Sequence, residues 1–139
     1  MDKNQKNKVV VLACSGIGKT YGALARDTAQ ELAECVRPGT VILTCLARLV
    51  MDDPEARLIL SGNPVITIDG CPRDCAKRTV ESTGKKVAEA CQVVRFYAAH
   101  KDLKPEGLAQ LNEAGRKLAR IAAEELAATV DKLAAESDR

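Results

Sequence analysis

Aromatic residues are nearly missing from this chain, which has no tryptophan, two tyrosines and one phenylalanine in 139 residues. Proteins that stack bases of single-stranded nucleic acid need such rings, so that function is argued against. Charge of one sign is lacking too. Lys and Arg number 21 against 19 Asp and Glu, the formal charge is +2, and the two signs are interspersed. No basic stripe points to a nucleic-acid partner. Histidine occurs once, at His100, so no Ser–His–Asp arrangement can be argued; as a lone residue before Lys101-Asp102 it reads as a surface group. No apolar run approaches the length of a membrane span. The polar stretch Met1 to Lys8 carries no leader pattern, and residues 1–7 are expected to be a disordered tail. These absences lead to the expectation of a cytoplasmic protein with no membrane partner.

What is present is an apolar fraction of 46%, in a length suited to one domain. With so few rings, the core falls to Val, Ile, Leu and Ala. Val9 to Ala13, Thr40 to Thr44 and Val65 to Ile68 are short, continuous and β-branched, the pattern of strands buried on both faces. Helical spacing follows each: Lys19 to Cys35, Cys45 to Leu60 in two pieces, and Cys71 to Ser82. Asp53 reads as the N-cap of the second piece, with Pro54 in its first turn. Gln92 to Tyr97 is read as a fourth strand, and 105–137 as a long C-terminal helix with an apolar stripe from Leu108 to Leu133. Alternating strands and helices predict a single three-layer α/β domain over residues 8–139, Rossmann-like, with a parallel sheet of about four strands.

Ligands of such sheets gather outside the carboxyl ends of the strands. Cys14, Cys45 and Cys71 each stand just past one of the strand-like runs, so all three are expected at that edge. Cys75 follows Cys71 by four residues, one helical turn on, and completes a set of four. In a reducing compartment such cysteines read as ligands or redox thiols ahead of disulfides. Four thiolates suit tetrahedral zinc. The helix amino end expected at Cys71 would favour thiolate charge, and Lys19, Arg73, Lys77 and Arg78 would offset it. Cys35 and Cys91 read instead as small apolar core residues.

The ordered set Cys14-Ser15-Gly16, Cys45-Leu46-Ala47, Asp69-Gly70-Cys71-Pro72 and Cys75-Ala76-Lys77 resembles the DGC-domain family, small proteins of bacteria and archaea named for an Asp-Gly-Cys motif. The resemblance spans about Lys8 to Gly84 and implies a zinc-binding domain whose four chelating cysteines fall on Cys14, Cys45, Cys71 and Cys75. It implies no particular reaction.

Three other chemistries fit the same edge. Ala13 to Thr20 matches a relaxed P-loop, with Lys19 on phosphate and Thr20 and Asp69 on magnesium, although thiols suit neither ligand. The four cysteines equally suit an iron–sulfur cluster. Cys71 and Cys75 would serve as an attacking and resolving pair in thiol redox or sulfur transfer. Asp69 is expected to accept N–H bonds from its own loop, Ser15 to make a loop or cap hydrogen bond, and Asp52-Asp53 to cap a helix. The Ala-rich terminal helix either folds over one sheet face or joins a second copy in a homodimer.

Overall fold

In the computed structural model, which describes residues 8–14, 16 and 18–137, four strands form one parallel sheet in the order β2-β1-β3-β4. They are β1 (Val9–Ala13), β2 (Val41–Leu43), β3 (Val65–Asp69) and β4 (Glu89–Gln92). β1 pairs with β2 on one side and β3 on the other, Val10 lying beside both Ile42 and Val65. The chain thus moves outward in one direction after β1 and in the other after β2. The switch falls between β1 and β3, the place where open α/β sheets bind ligands.

The central strands are buried along almost their whole length, as their β-branched composition requires. Helix α1 (Thr20–Glu31) buries Leu24, Ala25, Thr28 and Ala29, and packs with α6 (Glu113–Glu136) on one side. Helices α2 (Leu46–Val50), α3 (Pro54–Gly62) and α4 (Cys75–Ser82) follow on the other side, and α5 (Val94–Ala99) packs against α6. The three-layer α/β fold and the parallel sheet expected from the sequence are present. The break at Asp53-Pro54 is present as well, with the Asp53 carboxylate accepting from the Glu55 N–H at 2.9 Å. The expected N-terminal tail, residues 1–7, lies outside the described residues.

Outside the cysteine turn after β3, three features differ from the sequence reading. The fourth strand is Glu89–Gln92, not Gln92 to Tyr97. At the sheet edge this short polar segment pairs with Ile66 to Asp69, while Val93 and Phe96, three apart, bury one face of a helical turn. The terminal helix starts at Glu113 rather than at 105. Asn112 stops it from extending backward: its Oδ1 accepts from the Gly115 N–H (2.8 Å) and the Glu106 N–H (3.1 Å), and its Nδ2 donates to the Lys104 carbonyl (3.2 Å). Gly107, at φ +109°, shapes the loop before it. Third, α1 ends in a π turn over Leu32–Val36. That turn faces Leu32 inward and leaves Cys35 exposed, so Cys35 is not the core residue its apolar character implied.

The apolar stripe of α6, including Leu118, Ala122, Leu126 and Val130, is buried within this chain. His100 is half-buried, with Nε2 3.5 Å from a Glu125 carboxylate oxygen on that helix. No described helix is long and apolar enough to cross a membrane.

Candidate functional site

The loops after β1 and β3 meet through glycine. Gly16 has φ +48° and folds back on the first turn of α1, where a Cβ on it would stand 2.3 Å from the Gly22 Cα. A Cβ on Gly22 would be equally close to the Gly16 carbonyl oxygen. Gly70 lies against the same turn, and a Cβ there would be 2.7 Å from the Tyr21 carbonyl carbon and oxygen. Backbone touches backbone at both contacts. They set the end of β1, the start of α1 and the end of β3 into one unit.

Cys14 is buried in that unit, and its Sγ accepts the Gly70 N–H at 3.3 Å. Burial pushes its thiol above the ordinary range; the Gly70 N–H opposes this, and the nearby Asp69, Cys71 and Cys75 add to it. Cys14, Cys71 and Cys75 therefore lie within electrostatic reach of one another. Cys45, two residues past β2, lines the same cavity as Cys14. All four stand at the carboxyl edge of the adjacent strands β2, β1 and β3, as their spacing predicts. The sulfurs do not converge further: among the described residues, no three His, Cys, Asp or Glu side chains are grouped closely enough to hold a metal ion.

Cys71 does not lie on a helical turn with Cys75, as its spacing implied. The helix begins at Cys75, and Asp74 before it adopts left-handed φ +54°. Asp69 decides where the helix starts. Its buried carboxylate accepts the N–H groups of Ala76 (2.8 Å) and Lys77 (3.2 Å), the donors left open in the first turn of α4. Asp69 thus caps the following helix and does not bond its own loop. Burial raises its pKa against the lowering effect of these two donors. Cys71 to Asp74 is left as a turn, with the Asp74 N–H donating to the Cys71 carbonyl at 3.3 Å. Cys71 is half-buried and Cys75 exposed.

Gln92, at the end of β4, was not singled out by any motif. Its Nε2 donates to the Cys71 carbonyl at 3.1 Å and to the Asp74 carboxylate. It clamps the turn that carries Cys71 and leads into Cys75. Gln92→Leu is expected to cost about 1 kcal/mol of stability. Peptide mapping after brief alkylation should show Cys71 reacting faster than in the parent; an unchanged rate would mean that the clamp does not hold the turn.

Cys91 sits in β4, buried as expected, with its thiol pushed up to about 11 by burial, which keeps it neutral. Of the residues in the phosphate-loop reading, Asp69 has another role in this structure. The Lys19 N–H donates to the Gly16 carbonyl at 3.1 Å, and the Asp69 oxygens serve α4. Ser15 lies outside the described residues.

An Asp–Gly pair that caps one helix, admits another and delivers a cysteine accounts for each letter of the Asp69-Gly70-Cys71 motif, and the family model for the DGC domain matches residues 10–132. The chain belongs to the DGC-domain family. The match reaches well past Gly84, so β4, α5 and most of α6 are part of the DGC domain. No curated protein and no solved structure matches the chain significantly.

Proposed function

We propose that this DGC domain binds one zinc ion through Cys14, Cys45, Cys71 and Cys75, in a structural or metal-handling role. The observation that carries the reading is the placement of these cysteines at the carboxyl ends of three adjacent parallel strands, around the switch point of the sheet. The donor set fits the metal, because four thiolates satisfy a tetrahedral zinc centre. Zinc there would act as a cross-link between the loops that follow β1, β2 and β3. Cys14 is the fixed ligand, held by burial and by the Gly70 N–H. Cys45 and Cys75 are exposed and have room to move toward it, since binding must draw the sulfurs together. Each thiol must lose its proton to bind, so affinity should weaken as pH falls. Lys19 and Lys77 supply positive charge near the loops.

Elemental analysis of anaerobically purified protein, with Cys75→Ser beside it, tests this. One zinc per chain that is lost or strongly reduced in the variant is the expected result. Iron with acid-labile sulfide would assign a cluster to the same ligands instead. Absence of metal from both, even after addition of zinc, would overturn the reading.

A further inference from the structure

The four cysteines are not held alike. Three of them stand on one framework. Cys14 and Cys71 follow strands whose loops are locked together by the close backbone approach of Gly16, Gly22 and Gly70. The Gly70 N–H bonds the Cys14 sulfur, and Gln92 holds the Cys71 carbonyl. Asp69, the last residue of β3, fixes the helix start at Cys75. Cys71 and Cys75 also lie within electrostatic reach of Cys14.

Cys45 comes from outside that framework. It follows the edge strand β2, and the segment is tied to β1 there by the Thr44 N–H, which donates to the Val11 carbonyl at 3.3 Å. Helix α2 packs on α4 and buries Leu46 and Leu49, while Cys45 itself stays exposed. Turning the Cys45 side chain between staggered rotamers moves neither buried leucine. It also has space beside it. A cavity of about 920 Å³ lies between α1, the segment joining β2 to α2, and the loop before α6. Sites for small molecules commonly have volumes of this order. Cys14 and Cys45 line the cavity, whereas Cys71 and Cys75 do not. An outside molecule therefore reaches the cysteine edge on the Cys45 side.

We propose that Cys45 is the exchangeable ligand of the zinc site, that Cys14, Cys71 and Cys75 retain the ion without it, and that the cavity admits a small uncharged thiol to the position Cys45 vacates. The inference rests on the zinc reading above. Three protein ligands with a fourth position open is the arrangement of zinc sites that admit outside molecules. The cavity suits an uncharged visitor. Its walls are mostly apolar, with Leu43, Leu46 and Leu108 among them. Of its two arginines, Arg48 is paired with Asp53 and Glu55, and Arg26 interacts with Asp27. In the exchange the incoming thiol loses its proton and Cys45 takes one up, so neither oxidant nor reductant is consumed.

Zinc retention in Cys45→Ser and Cys75→Ser tests the inference, because both residues are exposed and only one borders the cavity. Against a competing chelator, Cys45→Ser should keep one zinc per chain, with affinity weakened by about a hundredfold or less. Cys75→Ser should lose about a thousandfold or more. Cobalt(II) gives a second reading, since its visible absorption reports how many thiolates bind it. Adding 2-mercaptoethanol should return the spectrum of cobalt-loaded Cys45→Ser to that of the parent, and should not do so for Cys75→Ser. Ala47→Trp places a large ring in the cavity from an exposed position. Combined with Cys45→Ser it should abolish that return, with circular dichroism checking that the variant is folded.

Equal loss of zinc from the two single variants, or greater loss from Cys45→Ser, would overturn the inference and leave the zinc reading intact. Failure of the parent itself to bind zinc would overturn both, and is seen without any variant. A cobalt spectrum of Cys45→Ser that 2-mercaptoethanol does not change would overturn the exchange. A return undiminished by Ala47→Trp would overturn the cavity as its route.

Discussion

Gly70→Ala is expected to destabilise the protein by about 3 kcal/mol or more, a loss near the upper end for overpacking. The added Cβ would stand 2.7 Å from the Tyr21 carbonyl and 2.8 Å from the Gly22 nitrogen, and all of these are backbone atoms. A flexible side chain would swing aside, but a helix turn packed on the sheet cannot. Backbone conformation is not the cause, since Gly70 is not among the glycines with positive φ. Gly84 supplies the opposite case, with φ +89° and nothing within 4 Å of a Cβ. Gly84→Ala should therefore cost only about 1 kcal/mol, through backbone strain alone. Urea unfolding of both variants checks the difference. The Gly70 N–H also bonds the Cys14 sulfur, so the shift forced by Ala should expose a thiol that is otherwise buried. Brief alkylation under native conditions should label Cys14 in Gly70→Ala and spare it in Gly84→Ala. Similar stability for the two variants would mean that the close approach at Gly70 relaxes at little cost.

Strands with continuous β-branched runs were readable, because burial on both faces leaves that mark. Their parallel order follows from the helices between them, and with it the common edge for Cys14, Cys45 and Cys71. β4 was displaced because an edge strand of Glu89-Ala90-Cys91-Gln92 carries little apolar pattern, while the stronger apolar run beside it belongs to α5. The start of α6 was obscured because Leu108 extends the stripe without being buried by it. Asn112, with Gly115 three residues on, is the local signal that marks the true start. Gln92 had no signal at all. Its role depends on β4 lying beside β3, a long-range pairing that no local pattern encodes. The Cys71–Cys75 spacing misled for a related reason: four residues match a helical turn, but a capping side chain from Asp69 moves the helix start to Cys75.

Asp69→Ala should have an effect of similar size by another route, about 3 kcal/mol. Two first-turn N–H groups of α4 would lose a charged acceptor, at about 1.5 to 3 kcal/mol each before relaxation and water entry reduce the sum. Asp69→Asn should fall between Ala and the parent. It keeps one acceptor oxygen for the Ala76 N–H, but turns an amide NH2 toward the Lys77 N–H. The order is the informative quantity. A carboxylate whose role is magnesium binding would show little loss of stability in either variant, together with loss of nucleotide binding. A carboxylate that caps α4 gives stability in the order Asp, Asn, Ala, measured by thermal and urea unfolding. Since the capped turn begins at Cys75, Asp69→Ala should also let the first turn of α4 fray. Amide exchange at Ala76 and Lys77 should then accelerate far more than in the strands. Protection at those two amides equal to that of the parent would show that a group other than Asp69 holds the helix start.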